Sequence, residues 1–253
     1  MLYVLRLSLA SFDIAAPAMI AVSAAIPAAP AASPETPHRS NANDNLCEGS
    51  KLLQSGEFGK AHRMLEEAYE QIKDSASVNQ AAKSQVLALV DYAGGGEQLS
   101  QNNIAAARDQ FHQASVDARD RETEAAALLS EAAAEEQAEH ELRALELLAK
   151  AYALTANGDL KSTIMMTAGG LRSTRFGYSD SEADQDLARS ISDAASARQR
   201  AVATVNYAAF IHNINPARAN DLLENADTIC NANDEWAREM RVSIRRYRQM
   251  WAA

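Results

Sequence analysis

From Leu46 onward, apolar and small side chains recur at spacings of three and four rather than in alternation, so every informative window has helical period. Helices are predicted at residues 45–55, 58–73, 78–101, 104–121, 123–157, 159–173, 181–212, 216–231 and 233–251. Local chemistry supports several boundaries. Gly56 and Gly158 suit turns that end helices, Pro216 suits a first turn where its missing N–H costs nothing, and Asp180, Ser181, Glu182, Asp184 and Asp186 suit the positive end of a helix dipole. One pattern recurs along the chain. After a turn at Gly56, Ala61, Leu65 and Ala68 share one helical face, and the same offsets return at Ala107, Phe111 and Ala114 and at Ala219, Leu223 and Ala226. A degenerate copy is expected at Thr163, Thr167 and Gly170. Small residues at both ends of such a stripe let a neighbouring helix approach closely, and the large residue between them fills the gap.

This arrangement resembles the tetratricopeptide repeat, a helix hairpin with a small residue in its first helix and an Ala-x-x-x-Phe…Ala stripe in its second. Twelve residues before each stripe stand Gly49, Gly95, Ala151 and Tyr207. The match is irregular. The first-helix Trp and the closing proline of the family are missing, and the four copies stand 46, 56 and 56 residues apart instead of about 34. The resemblance implies an all-α fold, an α-solenoid of helix hairpins over residues 45–232 closed by a C-terminal amphipathic capping helix at 233–253. A plain helical bundle, structural or self-associating, is the alternative, with a ligand- or metal-binding bundle as a further one. The resemblance further implies that a protein or peptide partner binds the concave face built by the first helices. Counted from the four positions above, that face presents Ser50, Leu53, Gln54, Tyr92, Leu99, Leu148, Tyr152, Thr155, Thr204, Ile211 and His212. The set is mostly apolar and nearly free of Lys and Arg, which favours an apolar or extended segment, and the same side chains read equally well as core.

Residues 1–32 read as a secretory signal peptide, with Arg6 ahead of an uncharged Ala-rich run and a small-x-small site at Ala29-Pro30-Ala31. Residues 33–44, polar and proline-bearing, read as a flexible linker. This implies a periplasmic or secreted protein, with a cytoplasmic one as the alternative should the leader not be a signal.

Composition narrows the function classes. The 253 residues carry a formal charge of -10, with 10 Gly, 6 Pro and 6% aromatics, which disfavours sheets, nucleic acid and anionic membranes as the setting. Gly94-Gly95-Gly96 lacks the Lys and the preceding strand of a phosphate loop and reads as close helix packing or a kink. The histidines His38, His62, His112, His140 and His212 form no metal or catalytic motif; Asp109 with His112 and Glu136 with His140 read as surface helical pairs. No nucleophile elbow or Ser-x-x-Lys is present, so no enzyme, cofactor or metal is implied. Acids dominate residues 120–146, whereas the last helix carries Arg238, Arg241, Arg245, Arg246 and Arg248 opposite an apolar face of Trp236, Met240, Ile244, Tyr247 and Trp251. That helix reads as a cap, with attachment to a membrane surface or nucleic acid as the sharper alternative. Phe176 and Tyr178 are candidate contact residues in an exposed loop at 173–179, unless both rings fold onto the core. The two cysteines, Cys47 and Cys230, lie at opposite ends of the repeats. An open stack predicts free thiols or an intermolecular link, and a closed bundle permits an intramolecular bond.

Overall fold

The computed structural model describes residues 41–177, 181–230 and 234–251. Among them the secondary structure is all α: α1 (Ala42–Gln54), α2 (Phe58–Ile72), α3 (Gln80–Ser100), α4 (Ile104–Asp117), α5 (Arg121–Gln137), α6 (Glu141–Leu154), α7 (Gly158–Phe176), α8 (Ser181–Asp193), α9 (Ala197–Ile211), α10 (Pro216–Ile229) and α11 (Glu235–Trp251). The chain divides into two units, Met1–His140 and Glu141–Ala253. Within each unit consecutive helices pack on their neighbours in the manner of a solenoid of hairpins. The predicted signal peptide and most of the predicted linker lie outside the described residues. The linker's end does not: Asn41 caps α1 in a reciprocal capping box with Asp44, so residues 42–44 are already helical.

Two predicted helices are each two helices. The span 123–157 breaks at Ala138–His140, where Glu139 enters the left-handed region at φ 63°. The chain turns there by three backbone bonds, Ala138 N to Ala134 O, Glu139 N to Glu136 O and His140 N to Glu135 O. The same pattern closes α1 around Gly56 and α3 around Asn102, both also at positive φ. These are helix stops of one kind, built on Gly, Asn and Glu in turn. The span 181–212 breaks at residues 194–196 for a tertiary reason, since the Asp159 carboxylate accepts the backbone N–H groups of Ala195 and Ser196, each at 2.8 Å.

With these breaks in place the repeat becomes regular. The odd-numbered helices α1, α3, α5, α7 and α9 each start at a side-chain cap, Asn41, Asn79, Asp120, Asn157 and Ser196, at intervals of 37 to 41 residues. The even-numbered helices carry the stripes. Besides the three intact ones foreseen, α6 buries Ala144, Leu148 and Ala151 and α8 buries Ala183, Leu187 and Ser190. Successive stripes therefore start 46, 37, 39 and 36 residues apart. The expected copy at Thr163, Thr167 and Gly170 is not a stripe. It lies on the cap-bearing α7, these three positions are half-exposed, and α7 buries Leu160, Ile164, Ala168 and Leu171 instead.

Glycine sets how closely the hairpins pack. A Cβ on Gly49 would stand 2.7 Å from the Leu65 side chain, one on Gly95 2.7 Å from the Phe111 ring, and one on Gly169 2.6 Å from Leu187, so in three hairpins the large stripe residue rests on a bare backbone. In the Gly94-Gly95-Gly96 run the three neighbours are Gln110, Phe111 and Phe58. The triplet thus works as a packing surface inside α3. In the second unit, α11 packs on α9 and α10 through Ala237 and Ile244, as expected of a cap, and Trp251 stacks on His212 with ring centroids 4.0 Å apart.

Candidate functional site

Parallel side-by-side packing of first helices recurs in both units. In the first unit α3 and α5 are joined by Gln85 Nε2 donating to Thr123 Oγ1 at 2.9 Å and Ser130 Oγ to the Tyr92 hydroxyl at 3.2 Å. Gln85 also donates to Asp120, the α5 cap, and accepts from Arg119 N, so one buried amide holds the turn between α4 and α5. In the second unit α7 and α9 are joined in the same sense. Gln199 donates to Ser162 and Thr163, Asn206 donates to Met166 Sδ at 3.0 Å, and the Phe210 ring lies over Gly170.

The eleven expected face residues divide sharply. Leu53 and Tyr92 belong to the core of the first unit, and Leu148, Thr155, Thr204 and Ile211 are buried in the second. Leu148, Tyr152 and Thr155 were placed on a first helix by counting from Ala151, but Ala151 ends the α6 stripe, so that count starts in the wrong helix. Ser50, Leu99, Tyr152 and His212 are half-buried, and Gln54 is exposed. Ser50, Gln54 and Leu99 belong to the first unit, and Tyr152 and His212 to the second. What the second unit does offer along adjacent first helices is a half-exposed strip of Thr163, Thr167, Gly170, Val202 and Phe210. Thr163 and Thr167 return their hydroxyls to the carbonyls of Asp159 and Thr163, which leaves small, internally satisfied positions facing outward. Their helical spacing was visible in the sequence, and their face was not.

Polar chemistry collects at three further places. On α3, Asp91 has one carboxylate oxygen buried without a partner, and on α4 Gln110 has its amide oxygen so placed. Desolvation, with the Asp117 charge adding and His62 opposing, pushes the Asp91 carboxyl up to about 6. His62 pairs with Glu97 at 2.8 Å, His112 with Glu131 at 3.4 Å and His140 with Glu135 at 2.7 Å. In the last two pairs the acid is a buried residue on the inner side of α5, Glu131 or Glu135, which reaches the ring from the core. In the second unit Tyr152 donates to Asp193 at 2.8 Å beneath the Arg189 guanidinium and the Lys161 ammonium, 4.8 and 5.3 Å from its ring centre. Burial, then Asp193, raise its hydroxyl above the usual tyrosine range, with Arg189 opposing.

Among the described residues no three His, Cys, Asp or Glu side chains converge as metal ligands, and no helix is long and apolar enough to cross a membrane. Cys47 is exposed and Cys230 buried, both as free thiols. Phe176 stands 51% exposed in the last turn of α7 under the Arg175 guanidinium instead of folding onto the core; Tyr178 lies outside the described residues. Comparison with protein-family models, with curated proteins and with solved structures finds no match.

Proposed function

We propose that the chain is a non-enzymatic scaffold of tetratricopeptide-like hairpins that binds a protein or peptide segment along adjacent first helices. The observation that carries this reading is the repeated unit itself: a capped first helix, a stripe-bearing second helix, and parallel first helices stitched by side-chain amides. Solenoids of this kind expose a continuous row of first-helix side chains, and their usual use is recognition of an extended segment. Here the accessible row is Thr163, Thr167, Val202 and Phe210, small and apolar, which suits a segment recognised by shape and apolar contact. The period of 37 to 41 residues between caps exceeds the family's, and the extra length lies in the helices. The leader composition supports export to a periplasm-like compartment, in which case the mature chain begins near Ala32.

Photo-crosslinking in the producing cell tests the reading. A benzophenone side chain at Thr167 or Phe210 is expected to trap one common polypeptide, while the same probe at the exposed Asn220 on α10 traps none. Equal labelling from all three positions, or none from any, overturns it.

A further inference from the structure

We propose that α11 is a strap that releases from the second unit as one piece while α9 and α10 stay folded, uncovering His212 and the buried Cys230. The helix buries two of its 17 positions, Ala237 and Ile244, against eight of 15 in α9. Its other inward side chains, Trp236, Met240, Tyr247 and Trp251, are half-buried against the second-unit core. Two arginines fix its course. Arg241 donates to the Cys230 carbonyl at 2.6 Å, and Arg248 pairs with Asp227 at 3.5 Å. The second contact joins two partly exposed side chains, where an ion pair adds little. An element held by so few buried contacts opens at a lower free energy than the core it rests on.

The contact that closes the last turn also carries a standing cost. Trp251 lies flat on His212, with ring centroids 4.0 Å apart and planes within 7°. The Nδ1 atom of that imidazole is buried without a hydrogen-bond partner. Docking therefore gains the stacked contact and loses the solvation of one polar atom, and release of the last turn returns that atom to water. His212 is one of the positions expected on the partner-binding face, so the closed strap covers it and the open strap presents it. That consequence rests on the peptide-binding reading, and the release of α11 does not. Cys230 reports the release from within. It is fully buried, and it shares one core cluster with Ala237 and Ile244 of α11.

The full chain carrying Cys47→Ser, which removes the exposed thiol and leaves Cys230 alone, tests the strap. Labelling by N-ethylmaleimide is followed by mass spectrometry through rising urea, beside circular dichroism of the same samples. Below the unfolding transition Cys230 is expected to label far faster than the unfolded fraction allows, at a rate nearly independent of urea. Trp251→Ala, which removes the stack, is expected to speed that labelling about tenfold. His212→Phe keeps a ring beneath Trp251 and removes the unpaired nitrogen, so it is expected to slow labelling about fivefold. Amide hydrogen exchange over residues 235–251 is expected to run ahead of that in α9 and α10. Labelling that follows the unfolded fraction at every urea concentration overturns the proposal. So does exchange of α9 and α10 in step with α11, or a labelling rate that neither substitution moves.

Discussion

Replacing Gly95 by alanine separates two opposed effects that the packing of α3 on α4 brings to one atom. Alanine is favoured over glycine in a helix interior by about 1 kcal/mol, so on an open face Gly95→Ala would stabilise α3. Gly95 does not lie on an open face. The added Cβ meets two Phe111 ring carbons at 2.7 Å and a third at 3.0 Å. The ring cannot swing clear, because it is 2% exposed and already packs at 5.6 Å between centroids against Tyr92. Overpacking of this kind costs about 1 to 3 kcal/mol, so after the propensity gain the net expectation is a loss of up to about 2 kcal/mol. Phe111→Ala alone leaves a cavity and costs about 3 to 5 kcal/mol. In that background the clash is gone, and Gly95→Ala should now stabilise by about 0.5 to 1 kcal/mol. The change of sign is the diagnostic. Urea unfolding followed by circular dichroism of the four proteins gives the coupling, expected at about 1 to 3 kcal/mol. A stabilising Gly95→Ala in the wild-type background would refute the close-packing account of the stripe, and so would the same sign in both backgrounds. Gly56→Ala is a control with a different cause: it meets nothing within 4 Å but holds φ 75°, so its cost of about 1 kcal/mol is conformational and should be the same with or without Phe111.

The same logic extends to the small stripe residues. Ala61→Leu, Ala107→Leu, Ala144→Leu, Ala183→Leu and Ala219→Leu, all at fully buried positions, should each cost about 1 to 3 kcal/mol, while Thr163→Ala on the half-exposed face of α7 should move the melting temperature little; a neutral set of five would remove the hairpin repeat. Asp91, at about 6 when folded, binds its proton more tightly in the native chain than in the unfolded one, so stability is greatest below pH 4 on this account and falls as pH rises through 6. Asp91→Asn should remove that fall and gain about 1 to 2 kcal/mol at pH 8 after allowance for screening of a half-buried group, and unchanged pH dependence of the melting temperature would count against the burial. Glu139→Gly should stabilise by about 1 kcal/mol by relieving the left-handed backbone, unless the loop re-forms without it, in which case thermal melting shows no gain.

Helix was legible because the chain writes it at every window, and the buried stripes at Ala61, Ala107 and Ala219 were legible because a turn signal stood ahead of each. The repeat's true period was not, and two residues explain most of the difference. Glu139 stops a helix at a position where Gly or Asn would announce the stop, and the stop holds because His140 returns both its backbone N–H and its ring to Glu135. Asp159 stops another from a distance, capturing Ala195 N and Ser196 N from 36 and 37 residues away, a contact that no local window contains. With both stops hidden, the stripes at Ala144 and Ala183 were absorbed into long helices, and Ala151 was counted as the start of a repeat it ends. The signal that does carry the period is the series of caps, Asn41, Asn79, Asp120, Asn157 and Ser196. Each answers unpaired N–H groups at a helix start, a local need that the residue itself meets. A stripe of small residues is weaker evidence, since Thr163 and Thr167 meet the spacing while bonding their hydroxyls to their own helix. Thr can do so on a buried or an open face alike, so spacing fixes which residues share a face, and only the packing of α7 on α9 decides that this one looks outward.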